Sequence, residues 1–406
     1  MNSFKEVLVY LDSLINYEVE FPLGGSRDRP KLELVFEAAR QLKLPLELSH
    51  CLHIAGTVGK GSVAAMCQAL LTTNHSALTF TSPHLVSPKE RVQLDGRDLP
   101  DELWCEGIAA VRDAATKLTY FETIFAFYLW CAQRLGTTAH VVETGLGGSF
   151  DATNVLIKTT AILTRIDFDH THILGKTLGA IAADKSGIIK QGMNCFSVWQ
   201  AEEAAVEIEH AVARKEAKLF LEGRDFALIE DFMIPMPGEF QNHNLSVAVA
   251  AVRSLDSGLS DDDVRNSLSG LKVMGRQQDL VSHPNVMLDV CHNPASFAAL
   301  AESLRLETKI AKRIALVAMM KDKDARESLR QLTGVIDELW VTSAPTPRTY
   351  TADALANIGA ELGFRVRVVE RATAYEEILA LPETSRSVIC GSFYLVGDFL
   401  KEHPDA

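Results

Sequence analysis

Residues 51–66 read CLHIAGTVGKGSVAAM, and the fold class follows from how that stretch divides. Cys51 to Ala55 is a short, nearly continuous apolar run, the pattern of a strand covered on both faces. Gly56-Thr57-Val58-Gly59-Lys60-Gly61-Ser62 then places three glycines within seven residues, and an apolar helix opens there and runs through Met66 and Leu70. Strand, glycine-rich turn and helix in that order form a phosphate-binding unit, because glycines let successive N–H groups point at phosphate oxygens. Lys60 adds a mobile cation for the β/γ-phosphates, and Ser62 offers a hydroxyl to Mg²⁺. The spacing departs from G-x-x-x-x-G-K-[ST], since Gly61 separates Lys60 from Ser62. An ordinary glycine turn before a helix is the plainer alternative.

The same alternation extends outward in both directions. Upstream, Phe4, Val7, Leu8, Leu11 and Ile15 carry helical spacing, and 32–42 reads as a second helix after the loop FPLGGSRDRP. Downstream, strands are expected over 77–80, 139–142 and 161–166, with a long apolar helix over 122–135 and an Ala/Val-rich one over 244–255. Strands that alternate with helices predict a mostly parallel sheet covered on both faces. A second unit of the same kind begins near Gly275, with strands over 286–290, 314–318, 338–342, 366–369 and 388–390 and a helix over 295–304. The fold class is therefore α/β with two domains, 1–272 carrying the phosphate loop and 273–406 being smaller and Rossmann-like. A chain of 406 residues accommodates two domains comfortably.

Composition excludes several classes. A hydrophobic fraction of 47% with 23% charged residues is globular rather than disordered. A net charge of −13 lacks the basic footprint of a nucleic-acid binder. No stretch approaches the ~20 apolar residues of a membrane span. The opening MNSFKEVLVYLDSL carries acids and no small-residue cleavage site, so no secretory signal is expected. Seven scattered cysteines without a C-x-x-C pair point to reduced thiols and a cytoplasmic location.

Other candidate residues sit at strand ends, where open parallel sheets bind ligands. Glu143 ends the run AHVVE and precedes TGLGG, placed to hold Mg²⁺ beside a triphosphate. Asp167-Phe168-Asp169-His170-Thr171-His172 packs acids and imidazoles after another apolar strand. His292 and Asn293 follow VMLDV, and Asp289 lies within that apolar run, where an unpaired acid would be costly. Lys185 reads locally as a surface lysine.

Together these pieces identify a family resemblance. HIAGTVGKGSVAAM, TSPHLVSPKERV, TYFE, ETGLGGSFDATNV, DHTHILGKTLGAIAADKSGII, NHNLSVAVAAV, GRQQ, LDVCHNP and CGSFYLVGDFL occur in order over nearly the whole chain. In that order they resemble the folylpolyglutamate synthase/dihydrofolate synthase family of the Mur ligase superfamily. The resemblance implies ATP-dependent ligation of L-glutamate to a folate-type carboxylate through an acyl phosphate, in a cleft that excludes water. It implies that Gly59, Lys60, Gly61 and Ser62 hold phosphates. Ser62, Ser82 and Glu143 would ligate one Mg²⁺, and Glu143, His170 and a carbamylated Lys185 a second. Asn244, Arg276, Asp289 and His292 would contact the nucleotide. Thr119, Phe121, Asp151 and Ala152 would line the pterin side, with Leu23, Gly24, Gly25 and Ser26 in the loop that closes over it. A monomer acting on small molecules is expected.

Four positions depart from the family pattern. Val58 stands for an asparagine, Ser87 and Ser149 for arginines, and His172 for an acid. The changes at 87, 149 and 172 fall around loops facing an acidic substrate, which keeps two rivals open: an amide ligase acting on a non-folate carboxylate, and a nucleotide-binding homologue without turnover.

Overall fold

A computed structural model of the chain describes residues 1–17, 32–115, 117–230, 232, 234–308 and 310–405. The positions 23–26 expected to close over the acceptor lie outside the described residues. The chain divides into two compact units, one of Met1–Pro83, Pro88–Met233 and Asn242–Leu271, the other of His84–Ser87, Ile234–Gln241 and Lys272–Ala406. The main division thus falls at Leu271/Lys272, and two short upstream segments belong with the carboxyl-terminal unit.

The first unit is built on eight strands: β1 (Glu47–Ala55), β2 (Ala77–Phe80), β3 (Val92–Leu94), β4 (Arg97–Asp98), β5 (Ala139–Glu143), β6 (Lys158–Leu163), β7 (Asn194–Ser197) and β8 (Lys218–Leu221). They lie in the order β4-β3-β2-β5-β1-β6-β7-β8. The six strands from β2 to β8 in that order are parallel, while β3 and β4 add an antiparallel extension at one edge. Every residue of β2 and β5 is buried, as strands covered on both faces require.

The helix Tyr120–Leu135 covers one face. Thr119 and Glu122 form a reciprocal capping box at its start, and left-handed Gly136 ends it. Its aromatic face packs on the sheet, with Phe125 5.2 Å and Tyr128 5.6 Å from the Phe80 ring. Each such burial contributes roughly 1.5–3 kcal/mol. A separate core joins Ala161 and Leu163 of β6 to Ile181 and Ala182 of the helix Leu178–Lys185 and Ile208 of the helix Glu202–Arg214.

Two expectations shift. The first helix spans Phe4–Asp12, so Ile15 lies beyond it and is exposed, because the Ser13 N–H closes the last turn on Tyr10 and Leu11 carbonyls. The strand expected over 161–166 spans Lys158–Leu163. Beyond Leu163 the chain leaves the ladder, since the Arg165 carbonyl takes the N–H groups of Thr57 and Val58 and the Ile166 N–H goes to the Gln200 side chain.

The second unit has β9 (Gln278–Asp279), β10 (Val286–Asp289), β11 (Lys312–Val317), β12 (Glu338–Val341), β13 (Arg365–Val368) and β14 (Ser385–Cys390). Their order is β13-β12-β11-β14-β10-β9, parallel except for β9. Apolar clusters pack against it around Phe297, Leu300 and Leu329, and around Trp340, Tyr375 and Phe399. The helices Pro294–Leu306 and Phe393–Glu402 start at side-chain caps from Asn293 and Ser392. Leu85 packs within this unit, its carbonyl against Gly397 and its side chain against Gly275. That accounts for the assignment of 84–87, and of Ser87, to the second unit.

Candidate active site

Register alone brings the candidate residues of the first unit to one edge. Ile54 of β1 pairs with Glu143 of β5, Ala55 with Leu163 of β6, and Phe80 of β2 with Val142. The chain therefore leaves the sheet side by side at Ser82, Glu143, Gly56 and Thr164, the carboxyl edge where such sheets take ligands.

The glycine-rich turn is held in a shape that only glycine permits. A Cβ on Gly56 would stand 1.9 Å from Thr164 Oγ1, and one on Gly59, at φ +93°, would stand 2.5 Å from Asn244 Oδ1. The first half of the turn is pinned. Thr57 and Val58 N–H donate to the Arg165 carbonyl, Thr57 Oγ1 donates to Asp167 O, and Asp167 N–H donates back to Thr57 Oγ1. The second half opens the helix Lys60–Leu71, whose start carries no side-chain cap. The N–H groups of the first turn have no partner within a helix, and the helix dipole adds positive potential there, so this end suits an anion.

Charged groups crowd the same edge. Lys60 Nζ lies 4.0 Å from Glu143 Oε1, with the glutamate side chain 4% exposed. Glu143 Oε2 accepts the Ser82 N–H at 3.3 Å. Ser62 is buried in the first turn of the helix. Lys185 ends the helix Leu178–Lys185 and is buried, its Nζ donating to the Gly56 carbonyl at 2.7 Å. Burial, seconded by the charge of Lys60, lowers its ammonium to about 7, against the opposing pull of Asp169, Asp184 and Asp151. A neutral amine is therefore accessible near neutral pH. The surface-lysine alternative fails at this position.

His170 stands in the left-handed region at φ 48°, its backbone N–H on Asp169 Oδ1 and its Nε2 3.9 Å from the same oxygen. The ring of His172 is 6.2 Å from that of His170.

Sequence reasoning passed over Asp184, and it named Asp151 for the acceptor side without its part in holding a loop. Asp184 Oδ1 accepts the Gly148 N–H, and its carbonyl accepts both the N–H and the hydroxyl of Ser149. The GLGGS loop is thereby tied to the turn that carries Lys185. The only signal in the sequence was adjacency to Lys185. Asp151 is buried: Oδ2 accepts the N–H groups of Gly145 and Leu146, and Oδ1 accepts the Thr153 N–H and hydroxyl. Ala152 is buried beside it, and the Phe121 ring stands edge-on to Phe80 at 5.4 Å and lies over Gly145. Thr119 is occupied as a helix cap. Asn244 is buried against Gly59.

Among the described residues no group of three His, Cys, Asp or Glu side chains forms a metal cluster. The donors here are mixed: a serine hydroxyl, a carboxylate beside Ser82, and a lysine with a lowered pKa. Of these, the hydroxyl and the carboxylate are hard oxygen donors, which fit Mg²⁺.

The second unit gathers its own candidates at the carboxyl edge of its sheet. Asp289 ends β10 and accepts the Cys291 N–H at 2.6 Å. Burial pushes its carboxyl up to about 6, against Arg276 and the N–H groups of Cys291 and Gln277. The Arg276 guanidinium lies 5.4 Å and the His292 ring 5.7 Å from the Phe393 ring.

Comparison with known proteins adds independent findings. A family model described as Mur ligase, glutamate ligase domain matches residues 274–393. A dihydrofolate synthase/folylpolyglutamate synthase of Mycobacterium tuberculosis is 30% identical over 380 residues, covering 82% of this chain and 78% of the relative. Escherichia coli FolC in complex with DHPP and ADP superposes with a TM-score of 0.86 at 26% identity, covering 99% of this chain and 98% of the other. A bifunctional folylpolyglutamate synthase/dihydrofolate synthase of Yersinia pestis, complexed with AMPPNP and Mn ion, gives a TM-score of 0.86 at 25% identity, with 99% and 98% covered.

Proposed function

The chain belongs to the dihydrofolate synthase/folylpolyglutamate synthase family, and we propose that it joins L-glutamate to a folate-type carboxylate at the expense of ATP. Dihydropteroate and tetrahydrofolate glutamates are the acceptors in view. The terminal phosphoryl group of ATP passes to the acceptor carboxylate, the glutamate amine attacks the acyl phosphate, and ADP and phosphate leave. The observation that carries the reading is the buried carboxyl edge where Lys60, Glu143 and Lys185 meet an uncapped helix start.

The residues divide the work by charge. The N–H groups of Gly59, Lys60, Gly61 and Ser62 cradle the phosphates, and Lys60 offsets the charge that builds when two anions meet. Bound Mg²⁺ supplies further neutralisation, with Ser62, Ser82 and Glu143 holding one ion and Glu143, His170 and carbamylated Lys185 a second. The low ammonium pKa of Lys185 supports its modification: CO₂ adds to the neutral Nζ, a proton is released, and an anionic oxygen ligand replaces a cation. Asn244, Arg276, Asp289 and His292 serve the nucleotide. Thr119, Phe121, Asp151 and Ala152, with 23–26, serve the acceptor.

Ser149 favours a second reading for the acceptor alone. Its hydroxyl is turned onto the Asp184 carbonyl, so the position supplies no cation to an acidic substrate. A non-folate carboxylate would then take the folate's place in the same ligation. The remaining partners are small molecules, and a cytoplasmic monomer without nucleic acid accords with the charge of −13. Among the described residues no helix is long and apolar enough to cross a membrane.

The test is phosphate release coupled to product mass. Phosphate should appear only when ATP, an acceptor and L-glutamate are all present, and the acceptor should gain one glutamyl unit. Turnover with other carboxylates but with no pteroate or folate would select the second reading. No turnover on any panel would select a nucleotide-binding homologue.

A further inference from the structure

We propose that His53 is a positioning residue for the acceptor side, acting through Thr153 on the Asp151 carboxylate. The inference rests on the reading of Asp151 as an acceptor-side residue and goes beyond it.

His53 lies in β1 and Thr153 follows the TGLGG loop, 100 residues apart in sequence, yet His53 Nε2 and Thr153 Oγ1 are 2.8 Å apart and buried. The direction of the contact is determined. Thr153 Oγ1 donates its one proton to Asp151 Oδ1, and an ionised carboxylate only accepts. Thr153 Oγ1 must therefore accept from His53, which assigns the proton to Nε2. The other ring nitrogen, Nδ1, is buried with no hydrogen-bond partner among the described residues. Burial, and the charge of Lys190, hold the imidazole neutral. Lys190 is itself tied to Asn154, through its carbonyl and its side-chain oxygen.

The chain of bonds ends on a carboxylate with no slack. Asp151 takes four donors, two from the Gly145 and Leu146 backbone and two from Thr153. A carboxylate offers about four lone-pair sites, so Asp151 serves the acceptor side by holding the Gly145–Leu146 loop rather than by accepting a further bond. The His53 donor fixes the Thr153 hydroxyl, and that hydroxyl fixes the carboxylate plane. A small or apolar side chain at 53 would leave the Thr153 oxygen buried and short of a donor. The carboxylate could then rotate and loosen its hold on the Gly145 and Leu146 N–H groups, and with them the loop on the acceptor side.

Michaelis constants for dihydropteroate and for ATP, measured on the full chain, test this together with ¹⁵N NMR of the wild-type imidazoles. Thr153→Val keeps the volume and should fold even if His53→Leu does not. Either variant should raise the dihydropteroate KM about 10-fold, the size of one lost hydrogen bond to a charged group, with the ATP KM unchanged. His53→Gln places an amide N–H where Nε2–H stood and should restore the wild-type KM. The NMR spectrum should show His53 protonated on Nε2 and not titrating near neutral pH. A merely structural role would raise the Michaelis constants for dihydropteroate and ATP together. An unchanged dihydropteroate KM in Thr153→Val, or a His53 proton on Nδ1, overturns the proposal. Asp151→Asn separates the two levels: if it too leaves the dihydropteroate KM unchanged, the acceptor-side reading of Asp151 fails and the proposal falls with it, whereas a raised KM there beside an unaffected Thr153→Val condemns only the His53 link.

Discussion

The two units end their parallel sheets in different ways. At the carboxyl edge of the first sheet, Glu143 sits between Lys60 and the Ser82 N–H, while Lys185 is buried and donates to the Gly56 carbonyl. At the edge of the second, the buried acid Asp289 is met by backbone N–H groups and by Arg276. The first edge gathers several charged groups of both signs within a few ångströms of the glycine-rich turn. The second answers its single buried charge with groups of its own. We assign the chemistry to the first arrangement, because preorganised charge is what stabilises a developing anion, and nucleotide binding to the second.

The contrast breaks most easily at Glu143. Glu143→Gln keeps the size and removes the charge, and the phosphate-release rate at saturating Mg²⁺ should fall ~10²–10³-fold. A near-normal rate would mean that the first edge is not the catalytic one. Next comes Lys185→Ala, expected to lose roughly 10²-fold, as for other changes to a metal's surroundings. Added short-chain carboxylic acids should return part of that rate by supplying the missing oxygen ligand. Full activity of the variant, or density ending at Nζ in crystals grown with bicarbonate, would restore Lys185 to a structural part.

Smaller effects sharpen the comparison. Gly59→Ala puts a Cβ 2.5 Å from Asn244 Oδ1 in a left-handed conformation that costs ~1–2 kcal/mol, so the ATP KM should rise about 10-fold and Tm should fall. In the second unit, Asp289→Asn and Arg276→Ala should raise the ATP KM about 5-fold, one hydrogen bond's worth, in variants shown by circular dichroism to fold. The smallest effect is one of pH. The Asp289 carboxyl binds its proton near 6, so it is charged at neutral pH and loses that charge as pH falls through about 6. The wild-type ATP KM should rise over that interval by a factor that Asp289→Asn does not show. Identical pH profiles would remove Asp289 from nucleotide binding.

How much of this was legible differs by residue. The phosphate loop was, because its glycines are demanded locally by backbone shape. Glu143 was, because an acid ending an apolar run can only emerge at a strand end. Asp184 was not, and Asp151 entered only through the family resemblance: each works by collecting N–H groups from a loop, and nothing in the neighbouring sequence marks a carboxylate as an organiser. The end of β6 was misplaced for a related reason. The run AILTRI ends on apolar Ile166 and reads as one strand, yet the backbone groups of Arg165 and Ile166 are claimed by Thr57, Val58 and Gln200. The short antiparallel strands β3 and β4 offer too few residues for a period to show.

Periodicity and glycine placement were enough to establish an α/β chain with two sheets and a phosphate loop on the first, since those features depend on neighbours a few residues away. The state of Lys185 was not available at that range. Locally it is one more polar residue in ADKSGII, and its burial comes from Gly56, 129 residues distant, together with Lys60 and Asp169. Charge and desolvation act through space, so whether that lysine is a surface cation or a neutral amine beside a phosphate loop is decided only when the strands take their places in the sheet.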